Sequence, residues 1–87
     1  MDEQTLRIFL SLAETQNTRD TAAELRINQS NVSRALARLE DEVGMALFSR
    51  HGKRLELNAN GLAFRADAAG VLDAVESARR HAELIAD

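Results

Sequence analysis

The sequence predicts a mainly α-helical domain with one small β-hairpin and a long final helix. Three observations predict it. Apolar residues recur mostly at spacings of three and four, the period of an amphipathic helix. The 87 residues contain no proline, and only four glycines punctuate them. One short stretch, Leu55-Glu56-Leu57, alternates as a half-buried strand does.

The elements follow in order. Residues 3–14 form a helix whose Leu6, Phe9, Leu10 and Ala13 share one stripe. Asp2 and Glu3 stand at its start, where the helix dipole favours negative charge. Asn17 is the next N-cap, with Asp20 as the capping-box acid three residues on. The second helix runs to about Leu25, with Ala22 and Leu25 inward. Arg26-Ile27-Asn28 is a tight turn, with Ile27 tucked towards the core. Asn28 caps a third helix from about Gln29 to Val43, with Val32, Leu36, Leu39 and Val43 on its buried face. Gly44 ends it. Met45–Phe48 and Leu55–Leu57 then read as two short strands around a basic tip, Ser49 to Arg54. Asn58 caps a last helix from about residue 59 to the end, some 27 residues or about 40 Å long.

Two units result: a compact unit, 1–58, and a helix, 59–87. In that helix Phe64, Ala68, Val71, Val75, Ala78, Ala82 and Ile85 recur at alternating steps of four and three. Three heptads of narrow apolar seam read as a pairing surface for a second copy. The part near Leu62 and Phe64 is expected to pack on the domain itself.

Composition narrows the function. The chain is 45% hydrophobic and 29% charged, as ordinary globular domains are. It is too short for a deep pocket beside a core, which excludes a large metabolic enzyme. With no cysteine, disulfides, thiolate nucleophiles and zinc-thiolate sites are excluded. No apolar run can span a bilayer, and the acidic start is no signal peptide, so a cytoplasmic protein is expected. His51 and His81 stand 30 positions apart without clustered carboxylates, so no metal is expected. Ser30 and Ser33 have no histidine partner at motif spacing, so no catalytic residue is expected either. Glu40-Asp41-Glu42 reads as a solvated face, with Glu42 four residues from Arg38 and able to pair with it.

The net charge of −3 taken alone argues against nucleic acid. Its distribution argues otherwise. Residues 26–54 carry six basic residues against three acidic ones, and the acidic surplus lies elsewhere. A local patch attracts phosphate whatever the total charge. Two helices joined by a three-residue turn form a helix-turn-helix unit. With Leu36 inward, Ser30, Asn31, Arg34 and Arg38 point outward at 100° per residue, and Ser33 lies at the flank. Such a face can donate to base edges and phosphates. The alternative is a plain solvated face. The basic hairpin with Arg50, His51, Lys53 and Arg54 tips the balance towards DNA, as a wing beside the helix-turn-helix.

The run Thr21-Ala22-Ala23-Glu24-Leu25-Arg26-Ile27-Asn28-Gln29-Ser30-Asn31-Val32-Ser33-Arg34-Ala35-Leu36-Ala37-Arg38-Leu39-Glu40 resembles the N-terminal signature of LysR-type transcriptional regulators. Gly44, Leu47-Phe48-Ser49-Arg50, Leu55, Leu57 and Gly61 continue it. The resemblance covers essentially the whole chain. It implies a winged helix-turn-helix with a β-hairpin wing and a long C-terminal linker helix that builds a homodimer. It implies sequence-specific binding of double-stranded DNA at a partly palindromic operator, in a bacterial cytoplasm, with no cofactor on this domain. The family's DNA contacts fall on Gln29, Ser30, Ser33 and Arg34 and on Arg50 and Lys53, and its variable contact on Asn31. Asn28, Arg38, His51 and Arg54 complete the expected face. Thr18 and Arg19 are expected to bind phosphate through the free amides at the start of the second helix.

Three positions depart from the family pattern. Thr18 stands where an aromatic is usual, Ser30 where proline is frequent, and Asn58 where threonine is usual. The family's effector-binding domain has no counterpart in these 87 residues, which are expected to be a piece of a longer regulator. A molybdate-responsive regulator, a winged-helix protein-interaction module and a small enzyme are the competing readings.

Overall fold

A computed structural model describes residues 1–86. Asp87, the last position of the expected helical unit, lies outside the described residues. Four helices and one hairpin follow in order: α1 (Glu3–Thr15), α2 (Thr18–Leu25), α3 (Gln29–Val43), β1 (Phe48–His51), β2 (Arg54–Leu57) and α4 (Ala59–Ala86).

Each helix begins where its cap dictates. Asp2 accepts the Thr5 N–H, Asn17 the Asp20 N–H and Asn28 the Asn31 N–H, at 2.7–2.8 Å. The acid at Asp20 answers Asn17 through the side-chain amide, at 2.7 Å. A capping box would use the backbone N–H instead. Three helices end in a left-handed residue: Gln16, Arg26 and Gly44, with φ of 66°, 58° and 77°. Ordinary side chains sit at the first two, so the helix-turn-helix bends are held without glycine.

The core gathers α1, α3, the hairpin base and the first half of α4. Val32, Leu36 and Leu39 are buried as expected, and Val43, Leu25 and Ile27 pack against them. In α1 the buried residues are Leu6, Ile8, Phe9, Ser11 and Leu12, while Leu10 and Ala13 are half-buried. The helix is contacted from two sides, by α2 and α3 and by α4, so its buried face is broader than one stripe. Phe9 is 1% exposed and meets Phe48 and Phe64 edge-on, with ring centroids 5.6 and 5.2 Å apart. Such edge-to-face pairs add about 0.5–1.5 kcal/mol each beyond area burial.

The hairpin differs from the expected one. Four pairs, Phe48↔Leu57 to His51↔Arg54, put Arg50, His51 and Arg54 in the strands, not at the tip. The tip is Gly52-Lys53, and Gly52 takes a φ of 64°, as the first position of a two-residue II′ turn requires. Met45 to Leu47 precede the strand. Leu47 is buried, and its N–H is fixed by the Glu40 carboxylate at 2.7 Å. Glu40 is thus half-buried and structural, not part of a solvated face. Glu42 meets the N-terminal ammonium at 2.7 Å, not Arg38.

α4 starts against the hairpin. Asn58 accepts the Gly61 N–H at 2.8 Å and donates to the Ala46 carbonyl at 2.9 Å. A Cβ on Gly61 would stand 2.1 Å from the Leu47 carbonyl oxygen. Only a residue without a side chain lets the helix lie this close. Gly61 is buried against Leu47 and Leu57, and further along, where α4 packs on α1, it buries Ala68 and Leu72, with Phe64 and Val75 half-buried. This corrects the seam. Ala68 is 1% exposed and belongs to the core, Leu72 joins it, and Leu62 is 63% exposed instead of packing inward.

Charges extend the α1–α4 contact. Glu3 accepts from Arg79 at 2.9 Å and from Arg7 at 2.8 Å, and Arg7 also reaches Glu76 at 3.4 Å. The Arg79 guanidinium, with Arg7 beside it, holds the Glu3 carboxyl below the ordinary carboxylate value.

Three substitutions test this packing. Gly61→Ala should cost about 1–3 kcal/mol or more in urea unfolding, as overpacking against a backbone carbonyl does. Gly70→Ala, with open space around it, should instead stabilise by up to about 1 kcal/mol. For Glu3 the folded-state value lies below the unfolded one. Its contribution is therefore present at neutral pH and is lost as pH falls through the lowered value. Thermal melts between pH 7 and 3 should fall less steeply for Glu3→Gln than for the parent.

Candidate nucleic-acid interface

The start of α3, the start of α2 and the hairpin converge on one side of the domain. A groove there is lined by Thr18 and Arg19 from α2, Gln29 and Ser33 from α3, and Arg50 and Lys53 from the wing. The α1–α2 turn supplies its floor. The Gln16 carbonyl accepts the Leu55 N–H at 2.7 Å, and its side-chain oxygen accepts from Arg54 at 2.6 Å. Gln16 therefore ties the wing to the helix-turn-helix, a role that sequence reasoning missed.

The α3 side chains expected to face outward do so. Asn28, Gln29, Ser30, Asn31, Ser33, Arg34 and Arg38 are all exposed, while Val32, Ala35, Leu36 and Leu39 are buried. Several are already bonded to each other. Asn28 accepts from Ser30 Oγ at 2.8 Å as well as from the Asn31 N–H, so its oxygen is committed to the cap. Arg34 donates to Asn31 Oδ1. Gln29 Nε2 donates to Thr18 Oγ1 at 2.8 Å, across the turn between α2 and α3. Thr18 is half-buried and serves as this partner, where the family resemblance led one to expect an aromatic filler.

The cations are not equivalent. Among the described residues, Arg19, Arg34, Arg50 and Lys53 have no carboxylate within 4 Å. Arg54 lies 3.4 Å from Glu56 and also holds Gln16, so it serves the wing base. His51 lies 3.9 Å from the same Glu56. Arg38 is exposed, yet it borders a different hollow, with Met1, Asp2, Asn31 and Glu42 at the start of α1. The structure therefore brings Thr18, Arg19, Gln29, Ser33, Arg50, Lys53 and Arg54 to one groove, while Ser30, Asn31 and Arg34 are exposed elsewhere on α3. Arg38 lines the second hollow, which Asn31 shares.

A polar cluster backs the α1–α2 packing. Buried Thr21 bonds to Ser11 at 3.0 Å and to Thr15 at 2.8 Å, and Ser11 donates to Glu24 at 2.7 Å. Every buried side-chain polar atom among the described residues has a partner. No group of three metal-ligating side chains occurs among them. No described helix is long and apolar enough to cross a membrane.

Helix-turn-helix, two-stranded wing and long following helix together define a winged helix-turn-helix domain. Residues 4–62 match the model of the bacterial regulatory helix-turn-helix proteins of the lysR family, and the chain belongs to that family as its N-terminal DNA-binding domain. The regulator ClcR of Pseudomonas putida is 35% identical over 79 residues, 91% of this chain and 27% of that protein. A probable hydrogen peroxide-inducible genes activator of Mycobacterium xenopi is 39% identical over 72 residues, 83% of this chain and 38% of that protein. The chain thus spans about a quarter to two fifths of the length of these relatives. Both are named as regulators of genes, not as enzymes.

Solved structures agree. The CbnR DNA-binding domain in complex with DNA matches with a TM-score of 0.93 at 29% identity, over 100% of both chains. The BenM DNA-binding domain in complex with catB site 1 DNA matches with a TM-score of 0.92 at 29% identity, over 100% of this chain and 98% of that one.

Arg54 gives the outcome specific to this geometry. Arg54→Ala removes the side-chain tie to Gln16 and should raise amide exchange in the wing, with little change in α1 to α3.

Proposed function

We propose that the domain reads double-stranded DNA as half of a two-fold dimer, at a partly palindromic operator in a bacterial cytoplasm. The observation that carries this reading is the groove where Gln29 and Ser33 meet Arg19, Arg50 and Lys53, cations without an ion-pair partner within 4 Å among the described residues. The start of α3 enters the major groove, which admits one helix. Gln29 and Arg34 are the principal base readers, and Ser30, Asn31 and Ser33 tune the sequence. Arg50 and Lys53, with His51 beside them, reach backbone or the adjoining minor groove. The start of α2 receives a phosphate on its free amides, near Thr18 and Arg19. Phosphate contacts position the domain and base contacts specify.

Similarity to DNA complexes of related domains supports this reading. Pairing through α4 is supported by what the chain leaves uncovered. Val71 is 49% exposed and Ile85 84% exposed, and Ala78 and Ala82 are exposed between them. Their spacing of 7, 4 and 3 keeps one narrow seam. Phe64, Ala68 and most of Val75 are used inside the chain, so the pairing surface is the outer remainder of the original seam. Two such helices would set the spacing of the half-sites.

The test is selection from random duplex DNA at two salt concentrations. An enriched inverted repeat, bound less tightly as salt rises, supports the reading. Weak binding at both salts without enrichment overturns it and brings a protein-interaction role forward. Arg34→Ala should cost about 1–3 kcal/mol and relax one position of the site. Lys53→Ala should weaken all sequences alike and lower the salt slope by about 1. Lysine at Val71 and Ile85 together should shift sedimentation to the monomer. An unchanged dimer contradicts the seam.

A further inference from the structure

The Thr18–Gln29 bond assigns a hydrogen-bonding pattern to the first residue of α3. We propose that Thr18 is a specificity-positioning residue, whose hydroxyl holds the Gln29 carboxamide so that it presents one acceptor and one donor and selects adenine. The inference rests on the DNA reading above.

A glutamine carboxamide has two N–H donors and one oxygen acceptor. Free, it can turn either side outward. It can meet an acceptor pair such as guanine N7 and O6, or the mixed pair of adenine. Here one N–H is spent on Thr18 Oγ1, at 2.8 Å. What remains is the oxygen and one N–H. That pair matches adenine, whose N6–H donates and whose N7 accepts. Guanine offers two acceptors in the same place and would leave the Gln29 oxygen facing a carbonyl oxygen.

Position supports the assignment. Thr18 and Gln29 are the first residues of α2 and α3. Both line the groove, with Gln29 exposed and Thr18 half-buried. A held side chain also loses less rotamer freedom on binding than a free one. A phenylalanine at position 18 would offer no acceptor, so the device belongs to chains with a hydroxyl there.

The experiment is the same duplex selection run on the parent, Thr18→Val, Thr18→Ser, Gln29→Ala and Thr18→Val/Gln29→Ala. The column of the site that Gln29→Ala erases identifies the base read by Gln29. In the parent that column should be adenine. Thr18→Val, equal in shape but without the hydroxyl, should lower its adenine preference about tenfold, a loss within the range of a bidentate base contact. The other columns should keep their order. Thr18→Ser should restore the preference, and the double variant should lose no more than Gln29→Ala alone.

Guanine in that column, or an unaltered adenine column in Thr18→Val, overturns the proposal. So does an equal loss over every column, which would make Thr18 a phosphate clamp. Absence of any enrichment by the parent is a different result. It removes the DNA reading itself, and this inference with it.

Discussion

Phe9 holds the domain together. It lies on α1, and its ring packs edge-on against Phe48 of β1 and Phe64 of α4. These three are all the aromatic residues the chain has. The cluster thus joins the first helix, the wing and the linker helix at one buried point. Around it, Leu47 and Gly61 bring the wing base and the start of α4 into backbone contact. The placement of the wing beside α3 depends on this junction. If the wing shifted, Arg50 and Lys53 would no longer share a groove with Gln29.

Long-range polar ties then fix what the core leaves free. Gln16 joins the α1–α2 turn to β2, and Glu40 joins α3 to the segment before β1. Glu3, Arg7, Glu76 and Arg79 extend the α1–α4 contact beyond the apolar positions. These partly exposed pairs contribute little to stability one by one. Their effect is on direction, because they lie where α4 leaves the domain.

The helices were legible in the sequence because caps and apolar spacing agree. Asn17, Asn28 and Gly44 mark ends that the structure keeps. The hairpin was legible as an element but not in register. Its strands are mostly polar residues, and the apolar Met45–Leu47 run that resembled a strand belongs to the preceding segment. The α4 stripe was misplaced for a geometric reason. Val71 and Leu72 both fit a step of three or four from Ala68, and only the position of α1 decides between them. Bonds such as Thr18–Gln29, Gln16–Arg54 and Glu3–Arg79 join residues 11, 38 and 76 positions apart, and no local pattern encodes them. The outward face of α3 needed only helical geometry, and every residue assigned to it is exposed.

The central claim is that one face, built from the starts of α2 and α3 and the wing, meets the DNA. Amide and side-chain NMR shifts of the chain during titration with the duplex it selects test this directly. The account predicts changes centred on Thr18, Arg19, Gln29 to Arg34, Arg50 and Lys53, with Arg38 and the start of α1 little moved. Changes centred on Met1, Asp2, Arg38 and Glu42, with the wing silent, would contradict it.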